Sequence, residues 1–140
     1  MKIFECGNCS HTLFFENLSC EKCGHLTGYS NSSGKMLTFE PNTFPLISDR
    51  KGQAYKYCHN KDFGVCNWLL PAEDEREFCE ACELNRTIPD LSDEKNFPKW
   101  QKLEVAKHRL VYQLVALGLA IPPQETNPEI GLCFDFIWRR

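Results

Sequence analysis

At 140 residues the chain can hold one ordinary domain or two small ones, and its nine cysteines are several times ordinary usage, so disulfides, metal or redox chemistry must account for them. A net charge of −3 disfavours nonspecific polyanion binding, and the charge is uneven: residues 41–90 carry six Lys/Arg against nine Asp/Glu, whereas Lys99 to Arg109 carry four bases and one acid. The opening Met1-Lys-Ile-Phe-Glu-Cys6 offers no apolar core for a signal peptide, and the longest apolar stretch, Leu110 to Ile121, is broken by Tyr112, Gln113 and Gly118 and is too short to span a bilayer. These features predict a cytoplasmic protein without a membrane segment, in which thiols stay reduced and cysteine pairs mean zinc.

The first cluster reads Cys6-x2-Cys9, ten residues, Cys20-x2-Cys23, with His11 to Asn17 between the pairs patterned like a strand that turns back. This is zinc-ribbon spacing: each Cys-x2-Cys turn aims two sulfurs at one point, and a hairpin brings the turns together to close a tetrahedron. Gly24 suits such a knuckle because glycine reaches positive φ without penalty, and Gly7 is expected to serve similarly. The Asn31-Ser-Ser-Gly34 cluster then reads as a hairpin loop between two short strands. Periodicity breaks at Pro41, Pro45 and Asp49-Arg-Lys-Gly52, where a module boundary is expected.

Ala54 to Tyr57 enters the second cluster as a short strand. Here Cys58, Cys66, Cys79 and Cys82 are spaced by seven, twelve and two residues, a wide loop at one end and a knuckle at the other. Adjacent residues rarely turn toward one metal, so Cys58 and His59 compete as ligands, and Cys58 is favoured. His11 and His25 flank a first site that is complete without them. Beyond a polar connector, Trp100, Leu103, Ala106, Leu110, Leu114 and Leu117 recur at helical spacing, with Asn96 as N-cap, Pro98 in the first turn and Gly118 as the stop. The tail has no clear period, although Leu132 to Trp138 is apolar enough for a strand or a docked end.

Two closed four-sulfur shells leave no position for water or substrate, which makes them structural, and modules of about 40 residues need such a staple. Redox use of Cys-x2-Cys pairs belongs to larger α/β folds. Hydrolysis calls for mixed ligands and a base, typically His-Glu-x-x-His, yet no two of His11, His25, His59 and His108 stand four apart. Cys133 and His108 are the leftover nucleophile and base. Phe14, Phe15, Tyr55 and Tyr57 could stack bases, but basic residues around them are sparse.

Cys6-Gly-Asn-Cys9, Leu13 to Asn17, Cys20-Glu-Lys-Cys-Gly-His25, Gly64-Val-Cys-Asn-Trp-Leu69, Cys79-Glu-Ala-Cys82, Asn85-Arg-Thr-Ile-Pro-Asp-Leu-Ser92, Ala106 to Tyr112 and Gly131 to Phe136 together resemble the zinc-ribbon region of a bacterial zinc-binding metallopeptidase family. The resemblance implies a catalytic His-Glu-x-x-His domain further downstream than Arg140, so it carries over the cysteines and no catalytic residue.

The expectation is a small α+β protein of tandem zinc-ribbon-like modules followed by a long amphipathic helix. A first ribbon is expected at 1–40, a second module at 53–90, a helix region at 91–121 and a tail at 122–140. Cys6, Cys9, Cys20, Cys23, Cys58, Cys66, Cys79 and Cys82 are expected to hold two structural zinc ions. The expected role is non-enzymatic docking or recognition, with a protein partner or a catalytic domain outside the chain. The alternatives are part of a peptidase or a nucleic-acid-binding ribbon.

Overall fold

Around the first cysteines, alternation between buried and exposed residues is too short for more than a minimal hairpin, β1 (Phe4–Glu5) paired antiparallel with β2 (Thr12–Leu13). The hairpin expected around Asn31 to Gly34 forms as β3 (Leu26–Ser30) and β4 (Lys35–Phe39), in register from Leu26↔Phe39 to Ser30↔Lys35. β6 (Ala54–Tyr57) pairs antiparallel with β7 (Trp68–Pro71) and with β5 (Leu46–Ile47), a strand the sequence does not announce. The five strands form one sheet in the order β4-β3-β7-β6-β5, because β3 and β7 pair in parallel through Tyr29↔Trp68 and Ser30↔Leu69.

The computed structural model describes residues 2–44, 46–47 and 52–138, so Pro45 and the turn at Asp49-Arg-Lys51 lie outside the described residues. It divides into two units, Met1–Cys79 and Glu80–Arg140, with the division inside the Cys79-x2-Cys82 knuckle. Together the strands and the one long helix among the described residues make a small α+β protein.

Within the first unit, Phe39, Leu46, Tyr55 and Leu69 form one apolar cluster. A second, aromatic group joins the ribbon hairpin to the sheet: Tyr29 lies 4.9 Å from Trp68 and 5.0 Å from Phe15, centroid to centroid, and Phe4 stands edge-on to Tyr29. Two details hold this seam. The Asn67 amide, buried, donates at 2.8 Å to the carbonyls of both Phe15 and Asn17, which satisfies both its hydrogens. Gly28 lies under Leu69 so closely that a Cβ would stand 2.6 Å from Leu69 Cγ.

The second unit holds β8 (Asn85–Thr87), α1 (Phe97–Ala116) and β9 (Phe134–Asp135). The apolar tail expected to be a strand or a docked end supplies β9, paired in parallel with β8. Pro98 falls in the first turn of α1 as expected, while the Asn96 side chain donates to the Asp90 carbonyl and makes no cap bond. At the other end the Leu119 and Gly118 amides bond the carbonyls of Leu114 and Val115 with Gly118 at φ +72°, the glycine-closed stop that satisfies orphan carbonyls.

The helix face differs from the leucine stripe read in the sequence. Trp100 is buried, but Leu103, Leu110 and Leu117 are 41%, 42% and 74% exposed. The buried face is Trp100, Glu104, Lys107, His108 and Val111, which has the same helical period but a polar middle. Glu104 and Lys107 are buried as an ion pair: Lys107 Nζ sits 2.8 Å from Glu104 Oε2, and Asn85 Nδ2 and Trp100 Nε1 donate to Glu104 Oε1 at 2.7 and 3.1 Å. Lys107 also donates to Asn85 Oδ1 and lies 5.9 Å above the rings of Phe134 and Phe136.

Candidate metal centres

Each half of the first cluster is built by the same local chemistry. In Cys6-x2-Cys9 the Cys6 amide donates to the His11 carbonyl and the Ser10 amide to Cys6, while in Cys20-x2-Cys23 the Cys20 amide donates to His25 and the Gly24 amide to Cys20, all at 2.8 to 2.9 Å. The two turns therefore superimpose residue for residue in their bonding. The position after each pair must be left-handed, with Gly24 at φ +75° and Ser10 at +56°. Gly7 is not at positive φ. Its amide instead donates to Thr38 Oγ1 at 2.9 Å, and a Cβ there would meet that hydroxyl at 3.4 Å.

Cys6 and Cys23 Sγ lie 3.6 Å apart, Cys9 and Cys20 Sγ 3.7 Å, and all four within 4.8 Å of one another. A regular tetrahedron with Zn–S bonds near 2.3 Å has edges of about 3.8 Å, whereas a disulfide needs about 2.05 Å. The spacing fits zinc and not a disulfide. Electrostatics agree. The His25 backbone hydrogen bond pulls the Cys23 thiol down to about 6. At Cys9 the His11 amide pulls the same way, but desolvation and the thiols of Cys23, Cys20 and Cys6 outweigh it, and the group stands at about 12. Crowded sulfurs cannot all ionise without a cation among them.

Second-cluster geometry matches at its centre: Cys66 and Cys79 Sγ are 3.7 Å apart, and Cys58, Cys66, Cys79 and Cys82 are all buried with their sulfurs within 4.8 Å. The seven-residue spacing from Cys58 to Cys66 is taken up by a short 3-10 helix, His59–Phe63, closed by Gly64. Backbone amides of Trp68 and Cys79 donate to the sulfurs of Cys66 and Cys58 at 3.4 Å, the outer bonding that steadies a thiolate. His59 is exposed with its ring edge-on to Phe78, and His11 is exposed as well, so neither joins a donor group. The two clusters fit two zinc ions.

A third convergence was not legible in the leucine period. Cys82, Glu104 and His108 place one donor atom each within 4.8 Å, all buried. Cys82 Sγ is 3.5 Å from His108 Nε2, and His108 Nδ1 is 2.7 Å from the Glu104 carbonyl. The available signal was a Glu, a Lys and a His four, seven and eight residues after Trp100, on the face of an expected core residue. Cys133 is not paired with His108: its thiol donates to Gln124 Oε1 at 3.0 Å. Of the four aromatics read as base-stacking candidates, Phe15 and Tyr55 are buried, Tyr57 gives its hydroxyl to the Thr27 carbonyl, and Phe14 is exposed.

Asn67, Trp68, Asn85 and Arg86, which carry much of the family resemblance, have structural partners. Arg86 grips Asp135 with two nitrogens and reaches Gln124 Oε1 at 2.9 Å, tying β8 to the tail, and this hydrogen-bonded pairing lowers the Asp135 carboxyl.

Residues 3–93 match a zinc-ribbon domain family, and residues 96–140 match the family described as "Putative zinc-binding metallo-peptidase". The chain is 31% identical over 137 residues to uncharacterized proteins of Mycobacterium bovis and Mycobacterium tuberculosis, covering 98% of this chain and 37% of theirs. It therefore spans little more than a third of the length of these curated relatives. No solved structure matches it. The match over most of its length, with two sulfur tetrads of zinc dimensions, makes the chain a member of the zinc-ribbon family that continues into a metallopeptidase-family segment.

Proposed function

We propose that Cys6, Cys9, Cys20 and Cys23 ligate one structural zinc ion and Cys58, Cys66, Cys79 and Cys82 a second, and that the folded chain acts in docking or recognition and not in catalysis. The observation that carries this reading is that each tetrad is already complete in sulfur, so a bound ion has no position for a reacting water. The exposed Leu103, Leu110 and Leu117 face of α1, with Ile130 and Ile137 at 77% and 69% exposure, is the docking surface. Its partner is a protein or a catalytic domain outside this chain, in a reducing compartment, which we take to be the cytoplasm.

A second reading, part of a hydrolase, draws on the metallopeptidase-family match of residues 96–140. Elemental analysis combined with a screen of peptide and peptidoglycan-type substrates separates the two. Two zinc per chain and no turnover are expected, and hydrolysis abolished by chelation would establish the hydrolase instead.

A further inference from the structure

The basic stretch Lys99 to Arg109 has no part in either sulfur tetrad, and α1 shows where its charge goes. Glu104, the one acid of the helix, is buried against Lys107. Lys99, Lys102 and Arg109 are exposed, so the outward side of α1 carries bases and no acid. That side also has a spacing of its own. Leu103, Ala106, Leu110, Gln113 and Leu117 are all exposed and recur at steps of three, four, three and four. Strict 3-4 alternation is the seam of a coiled coil, because it keeps one narrow line of side chains facing a partner helix. In that register Lys102 and Arg109 stand immediately before Leu103 and Leu110, where flanking charges select the partner. The other flank falls on buried Lys107 and half-buried Leu114, which leaves the basic flank as the open one.

We infer that the outward face of α1 binds an amphipathic helix of a partner protein, one whose apolar seam is flanked by Asp or Glu. The inference rests on the docking face proposed above and names the chemistry of its partner. Charge complementarity chooses among the occupants. A second copy laid antiparallel would set Lys102 against a second Arg109, and laid parallel would offer Lys107, so neither direction supplies an acid. A phospholipid surface would answer the bases, but three leucines in single file with Gln113 among them are too narrow a line for a helix lying in a bilayer interface.

The test titrates two synthetic peptides against the full chain purified with zinc, by fluorescence anisotropy. Both carry the same leucine seam over about three heptads, one with Glu and the other with Lys at every flanking position. The Glu peptide should bind about tenfold or more tightly than the Lys peptide, and its complex should weaken as salt rises. Leu110→Asp should weaken the Glu peptide by about tenfold or more. Lys102→Glu/Arg109→Glu should reverse the preference toward the Lys peptide. Zinc content and thermal melts should match the wild type in both variants; if Leu110→Asp lowers the melt, Leu117→Asp, at the most exposed of the three leucines, takes its place. Sedimentation equilibrium and co-sedimentation with phosphatidylserine vesicles run alongside. Binding of neither peptide, or a preference that the double variant fails to reverse, overturns the inference. So does leucine-dependent self-association, or binding to the vesicles in place of the Glu peptide. Leucine-dependent binding that ignores flanking charge would overturn the acidic partner and leave the docking face standing. Binding that ignores the leucines would remove that face and this inference with it.

Discussion

Ser10 and Gly24 occupy equivalent places in two knuckles with the same hydrogen bonds, but only one of them is glycine. A left-handed backbone costs a residue with a Cβ about 1–2 kcal/mol, part of which glycine gives back through its freer unfolded chain. Ser10→Gly should therefore stabilise the zinc-loaded protein by about 0.5–1 kcal/mol, read from denaturant melts, and Gly24→Ala should destabilise it. At Asp74 the cause is charge. Hydrogen bonds from the Arg76 side chain and backbone hold its carboxyl at about 2, below the usual value near 3.9. A depressed carboxyl contributes stability that is fully present above the unfolded value and is lost as pH falls through about 2. In Arg76→Ala the Asp74 titration, followed by carbon NMR, should move up toward the ordinary range. Such residue-level facts were partly legible: Gly24 after Cys23 announced its turn, but Gly7 did not carry one, since its place is set by the distant Thr38.

Helix α1 was legible as a helix, and its stop at Gly118 too, yet its inward face was not. Counting leucines finds the period but not the phase. Here the phase is set by Asn85, Trp100, Glu104 and Lys107, whose mutual bonding is invisible until β8 stands beside the helix. Removing one member of a buried pair leaves an uncompensated charge, so Glu104→Ala should cost about 3–5 kcal/mol, whereas replacing Glu104 and Lys107 together by apolar residues of similar volume should cost far less. Thermal melts of the two variants decide this. The outward leucines predict the reverse pattern. Leu103→Gln and Leu110→Gln should change stability by no more than about 0.5 kcal/mol while weakening any association of the chain, read by light scattering or partner binding.

Across the whole molecule, the spacings of the eight clustered cysteines were enough to foresee both sulfur tetrads, because knuckle turns dictate locally where their sulfurs point. The parallel pairing of β3 with β7 was not foreseen, since nothing within either strand names a partner so far along the chain. The metals belong to this scale as well. Structural zinc contributes on the order of 10 kcal/mol of apparent folding free energy, so a strong chelator should unfold the chain cooperatively, with loss of near-ultraviolet signal from the Tyr29, Phe15 and Trp68 group. Retention of that signal in fully metal-free protein would contradict it.

The β3–β7 joint also bears on timing. Bringing Tyr29 beside Trp68 closes a long excursion of the backbone, and such closures are entropically slow compared with a knuckle or a hairpin. Refolding should thus run through early local capture of each ion, followed by a late clasp at Gly28 and Leu69. The Tyr29 amide, bonded to the Asn67 carbonyl in that clasp, should be among the last to gain protection from deuterium in a pulse-labelled refolding experiment.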